Sequence, residues 1–244
     1  VWIVGCQGDV PHPTHAHLEK VLGWIGELRP RRAILTHMGP TLDLDTVDKL
    51  DAGFPRVLLR LGIVLRAMRA LNLNVTRDLL PLLATWTPIG TRGTTALYRQ
   101  MFLNPTILDQ DAAFDDNGFG EFLQDGTQRL LNHGEALRAA FNLTGEEFDR
   151  IVSALGIDAN TPLDIASISA IYRRGWLARK LLISVQELLL LSEVTGLDPF
   201  APPNPTNPAI LRLATLVSNL KTQGLKSPAA LYLIWNEDLS GTSA

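Results

Sequence analysis

Apolar residues recur at two different periods along this chain, and the period changes near residue 50. Val1–Val4 is a short apolar run, and Arg32–His37 ("RAILTH") is a second, broken by Gly39-Pro40. Between them, Leu18, Val21, Leu22 and Ile25 follow the spacing of one helix face. Thr14 stands before that face as an N-cap, and Arg29-Pro30 ends it because proline cannot continue a helix. Strand, helix and strand in this order predict a βαβ unit. Such a unit normally belongs to a larger sheet covered on both faces, so a lone copy is an incomplete fold.

After residue 50 the helical period takes over. The pattern predicts helices over roughly 55–71, 76–86, 94–103, 127–141, 145–155, 164–181, 185–195, 207–222 and 228–237. Thr144-Gly145-Glu146-Glu147 and Ser184-Val185-Gln186-Glu187 have the form of capping boxes, in which the hydroxyl accepts a backbone N–H and the glutamate reaches back. Ser227-Pro228 reads as a cap followed by proline at the first helical position. Gly156 and Gly196 stand where a left-handed residue closes a helix. The loop Asp198–Pro208 holds five prolines and excludes a helix.

These signals repeat. "LTGEEFDRIVSALGID" (143–158) and "ISVQELLLLSEVTGLD" (183–198) match at an offset of 40 residues. "KSPAALYLIWNEDLSG" (226–241) begins in the same way, and "LNVTRDLLPLL" (73–83) is a looser echo. A period of this length fits stacked helical pairs, each burying its apolar face on the next; an ordinary compact helical domain is the competing arrangement. The fold class expected is therefore mainly α, an irregular helical array over 51–244 preceded by a small, incomplete βαβ segment over 1–50. No linker composition separates the two, so the chain reads as a fusion of unlike pieces.

Composition narrows the function classes. At 244 residues with 46% hydrophobic residues, the chain can bury a substantial core. A net charge of −3 supplies no basic excess for nucleic acid. One cysteine, Cys6, excludes an internal disulfide framework. No apolar run reaches the roughly 18 residues of a membrane span, and no basic start followed by an apolar stretch marks an export signal. The chain opens on "VWIV" rather than methionine, as expected of a fragment or a processed product.

Candidate chemistry concentrates in "PHPTHAHL", which holds His12, His15 and His17, three of the five histidines. Imidazole binds zinc and similar ions, but a site needs several ligands converging on one point. Residues two apart on a helix do not share a face, so the spacing alone describes an exposed loop running into a helix start. In the helical part, Leu97, Tyr98, Met101 and Phe102 form a core stripe, and Leu188–Leu191 make a helix apolar nearly all round and therefore buried. Tyr172 and Trp176, four apart, read as core. Arg173-Arg174 and Arg179-Lys180 read as a solvated face. Asp115-Asp116-Asn117-Gly118 lacks the ligand spacing of a calcium loop, and His133 in "LLNHGEAL" has no partner close in sequence.

Two resemblances add to this reading. The stretches "VWIV" and "PHPTHAHLEKVLGWIGELRPRRAILTHMGPTLDLDTV", over residues 1–47, resemble the C-terminal part of metallo-β-lactamase-fold hydrolases of the phosphodiesterase-like branch. That resemblance implies that His37 is a metal ligand and that His15 lies at the active site near the phosphate. It also implies a bridging aspartate after the first strand, where this chain has Gly5, and an upstream H-x-H-x-D-H motif that this chain lacks. A remnant site follows, with zinc or another divalent metal expected only if the segment functions. The stretches "LLPLLATWTPIGTRG" (79–93), "ALYRQMFLNP" (96–105), "ISAIYRRGWLARKLLISVQELLLLSEVTGLDPF" (168–200) and "SPAALYLIWNEDLSG" (227–241) resemble the A subunits of bacterial toxin complexes, the Tc insecticidal toxins. That resemblance implies an α-helical shell around a translocation channel, a structural rather than catalytic role and no cofactor. Its implied partners are other toxin-complex subunits or further copies of itself and a host cell-surface receptor. Its implied location is that of a secreted virulence factor.

Overall fold

The computed structural model describes residues 2–5, 33–36, 54–117, 121–204 and 207–239, with side chains from residue 60 onward. The chain divides into two compact units, Val1–Leu59 and Arg60–Ala244. In the first, β1 (Trp2–Gly5) pairs in parallel with β2 (Ala33–Thr36), in the register Trp2 with Ala33 and Gly5 with Thr36. Parallel neighbours require a long crossover, as the expected βαβ connection supplies. The expected helix between them, and His12, His15, His17 and His37, lie outside the described residues.

Ten helices follow. They are α1 (Phe54–Ala70), α2 (Val75–Leu83), α3 (Leu97–Phe102), α4 (Pro105–Gln110), α5 (Gly134–Phe141), α6 (Gly145–Ala154), α7 (Ile165–Leu181), α8 (Val185–Thr195), α9 (Ala209–Thr222) and α10 (Ser227–Trp235). The fold is mainly α, as the period of the sequence predicts. The capping boxes at Thr144 and Ser184 both form, with Glu147 and Glu187 reaching back to the cap residue's own N–H. Gly156 and Gly196 both take φ of +63°.

The repeat is a repeated corner. At Asn72-Leu73-Asn74, Asn142-Leu143-Thr144, Leu182-Ile183-Ser184 and Gly224-Leu225-Lys226 the first residue is left-handed. The second residue's N–H bonds back five residues along the helix just ended: Leu73 to Met68 O, Leu143 to Arg138 O, Ile183 to Ala178 O and Leu225 to Leu220 O, at 2.8–3.1 Å. The third residue is the N-cap of the next helix. This is a Schellman closure running directly into a cap, and it turns the chain with a single residue between the left-handed position and the cap. The loose echo at 73–83 is thus the same corner as the two strong copies.

Stacking follows from the corners. Helix α8 packs against α6, α7 and α10, while α7 also packs on α5 and α6, and α9 packs on α10. The matched helices α6, α8 and α10 therefore lie in one row. Beneath the earlier helices runs a chain of rings: Tyr98 on Phe102 and Phe122, Phe102 stacked on Phe114 at 4.5 Å, Phe102 edge-on to Phe141, and Phe141 against Tyr172. Such offset and edge-on pairs add to the area they bury. Tyr172 and Trp176 are core residues, as expected.

Several expectations are corrected. The helix expected over 94–103 starts only at Leu97, and a further helix, α4, follows it; Asn104 caps α4 through Ile107 N with Pro105 at its start. The helix expected over 127–141 begins at Gly134. Residues 128–130 instead pair with 161–163, through Leu130 N to Thr161 O and Leu163 N to Gln128 O, and Leu130–His133 form a 3-10 turn. Ser227 does not cap α10: it is buried at the first helical position, and Lys226 is the cap residue. Of Leu188–Leu191 in α8 only Leu188 and Leu191 are fully buried, with Leu189 and Leu190 half-buried.

Candidate functional site

Three polar clusters among the described residues invite a functional reading, and each is built by a different local device. The first centres on Asp78 in α2. Asn74 caps that helix through Thr76 N and Arg77 N, and Asp78 Oδ2 accepts the Asn74 N–H in return at 2.9 Å. Asp78 is only 2% exposed. Lys180, on α7, donates to its Oδ1 at 2.7 Å, and Arg77 approaches at 3.3 Å. Burial pushes the carboxyl up, but hydrogen bonds from Lys180, Arg77 and the Asn74 backbone, with the Lys180 charge, outweigh it and hold it down to about 2. The cluster is a buried carboxylate held by charged partners, and it joins α2 to α7.

The second cluster surrounds His133, which ends the 3-10 turn before α5. Its Nδ1 lies 2.6 Å from Asp111 Oδ2 and its Nε2 lies 3.1 Å from Gln128 Oε1. Gln128 in turn donates to Asp125 Oδ2, and Asp111 Oδ1 accepts Ala113 N. Histidine beside aspartate is the pairing that orients a general base. Here both ring nitrogens are engaged by protein groups, the side chain is 11% exposed, and the ring stands edge-on to Phe114. The geometry fixes the ring as a tie between the loop after α4 and the start of α5. The neighbouring carboxylates are likewise spent on turns: Asp115 Oδ1 accepts Asp116 N, and Asp125 Oδ1 accepts both Thr127 N and Thr127 Oγ1. Those bonds hold Asp125 below the usual carboxylate range. Gly118, the end of the calcium-like tetrad, lies outside the described residues.

The third cluster is the basic run of α7, which is not the plain solvated face expected. Arg173 donates to Ser169 O and to Thr87 O, Arg174 donates to Ala170 O and lies over the Phe200 ring, and Arg179 donates to Asn142 O. Burial pulls the Arg174 guanidinium below its usual range, and the charge of Arg173 adds to this. These cations hold the corner at Asn142 and the loop after α2 against α7. Trp86 Nε1 to Pro199 O, Ile89 N to Ser169 Oγ, and Lys221 Nζ to Leu181 O make further ties of the same kind. Side chains that bridge to backbone oxygens across elements position helices rather than substrates.

Neither His15 nor His37, the residues that the hydrolase resemblance singles out, is among the described residues. Among the described residues no group of three or more histidine, cysteine or acidic side chains gathers as a metal site would require, and no helix is long and apolar enough to cross a membrane. A feature that sequence reasoning missed is the outer side of α10, where the large apolar residues Tyr232, Leu233 and Ile234 are all exposed. Its signal was a nine-residue helix without a charge. No family model, curated protein or solved structure matches this chain.

Proposed function

We propose that this chain is a non-enzymatic structural and interaction module, a piece of a helical shell of the kind its sequence resembles in Tc toxin A subunits. The observation that carries the reading is the row α6, α8 and α10, three helices set side by side by near-identical corners. Stacks of this type make extended surfaces at low cost in loops, which suits a scaffold that receives partners. The buried Asp78 and the half-buried Lys180, Arg173 and Arg179 support the same role, since all are committed to joining elements. On this reading the partners are other toxin-complex subunits, further copies of the chain, or a receptor on a host cell surface, and the protein acts outside the bacterium.

Binding of the fluorescently labelled chain to cultured insect cells tests this. Saturable binding displaced by excess unlabelled chain is expected. Hydrolysis of bis-p-nitrophenyl phosphate in the presence of zinc, lost in His37→Ala, would instead make the chain a metal-dependent phosphodiesterase and overturn the proposal.

A further inference from the structure

Charge is unevenly spread along this chain. Residues 52–108 carry seven arginines, no lysine and one acidic residue, Asp78, within a chain whose net charge is −3. Asp78 is buried and already held by Lys180 and Arg77, so no carboxylate of this stretch faces solvent. Arg60, Arg66, Arg69, Arg77 and Arg92 are all exposed. Their guanidinium groups are planar forks that match phosphate oxygens two at a time, which a lysine ammonium does not.

The feature is sharpest on α1. There Ile63, Ala67 and Met68 are buried, and the opposite side carries Leu61 and Leu65, 51% and 47% exposed. Arg69 continues that row at the same four-residue step, and Arg66, three residues before it, lies on the adjoining side. From residue 60 onward the exposed positions of the helix are leucine, arginine and one alanine. No acidic residue occurs anywhere in α1. A helix that faces only water usually interleaves both signs of charge and gains from pairs four residues apart. Helix α1 instead sets large apolar side chains among cations alone, which is the pattern of a helix that lies on a membrane surface.

We propose that the outer side of α1 docks on an anionic lipid surface, with Leu61 and Leu65 entering the acyl boundary and Arg69 and its neighbours holding lipid phosphates. Charge selects this occupant. Exposed leucines alone suit many partners, but leucines edged by arginines and free of carboxylates match a surface that is apolar beneath a negative layer. Nucleic acid offers the phosphates and nothing apolar for the two leucines. The helix lies in the interface, since no helix among the described residues is long and apolar enough to cross it. One arginine close to such a surface strengthens binding by roughly fivefold, so cations and leucines must act together. The inference goes beyond the shell reading and rests on α1 and the arginine-rich stretch alone, so it stands or falls independently of the toxin resemblance.

The test uses the full chain in a flotation assay with vesicles of phosphatidylcholine, pure or containing about 30% phosphatidylglycerol, the anionic component. The chain is expected to float with the anionic vesicles only, and less so as sodium chloride screens the arginines. Partitioning is expected to weaken at least about tenfold in Leu61→Ser/Leu65→Ser, which keeps every charge, and in Arg69→Glu, with far-UV circular dichroism unchanged. Leu61→Ser alone, a single exposed change, serves the same purpose if the double variant loses helix. Absence of flotation with anionic vesicles, or equal flotation with pure phosphatidylcholine, overturns the proposal. So does flotation that the leucine substitutions leave unchanged, because α1 would then not be the docking face. Sedimentation velocity showing a dimer that Leu61→Ser/Leu65→Ser dissociates would also overturn it, since the occupant would be a second copy of the chain.

Discussion

The buried pair between α2 and α7 gives the most quantitative expectation. Lys180→Met removes the ammonium 2.7 Å from Asp78 Oδ1 and leaves a side chain of similar length. The carboxyl sits at about 2 in the folded chain against 3.8 for the free group. At roughly 1.36 kcal/mol per pH unit, that gap is worth about 2 to 3 kcal/mol. Removing one partner of a buried pair typically costs about 3 to 5 kcal/mol. The lower value is expected here, because Arg77 and the Asn74 N–H still reach the carboxylate. The sign follows from the depressed value: the stabilisation is complete above about 4 and disappears as pH falls through about 2. Urea unfolding of wild type and variant at pH 6 and pH 2.5, taken as a difference, cancels the other carboxylates. A deficit of about 2 to 3 kcal/mol at pH 6, shrinking to under about 1 kcal/mol at pH 2.5, is expected. A deficit below about 0.5 kcal/mol at pH 6, or one that does not change with pH, would refute the coupling.

Four further substitutions probe the corners, the helices and the core. Leu182 is left-handed at φ +56° and 79% exposed, where the other corners use Asn72, Asn142 and Gly224, so Leu182→Asn should raise the melting temperature by about 2 to 4 °C; a fall in differential scanning calorimetry would count against strain at this corner. Gly62 in α1 has open space where a Cβ would stand, whereas a Cβ on Gly175 in α7 would come within 2.5 Å of Leu143 Cδ2. Gly62→Ala should therefore stabilise by about 0.5 to 1 kcal/mol, and Gly175→Ala should not; equal gains in chemical denaturation would disprove the contact. Thr85 is fully buried and its Oγ1 has no hydrogen-bond partner among the described residues, so Thr85→Val should stabilise by about 1 kcal/mol, and a loss of similar size would reveal a bond to the hydroxyl.

The helices that were legible in the sequence are those whose signals are local. A capping box is decided within four residues, so Thr144 to Glu147 and Ser184 to Glu187 form as written. The same holds for the left-handed glycines Gly156 and Gly196. Helix α4 carried an equally local signal in Asn104-Pro105, and the ambiguity lay in its shortness: six residues show hardly two turns of apolar period. The start of α5 was not legible, because residues 128–130 pair with 161–163, and a partner more than thirty residues away leaves no local trace.

Sequence by itself determined the fold class, the change of pattern near residue 50 and the 40-residue recurrence, because helix period, caps and breakers all act over a few residues. Only the tertiary structure decided what the polar residues do. Asp78 meets Lys180, Asp111 meets His133, and Arg173 meets the Thr87 carbonyl across long stretches of chain. It also decided which of two similar apolar helices is covered. Propensity makes α8 and α10 equally helical and greasy, but burial depends on having a neighbour on each side, and α8 has two in its row where α10 turns its outer face to solvent.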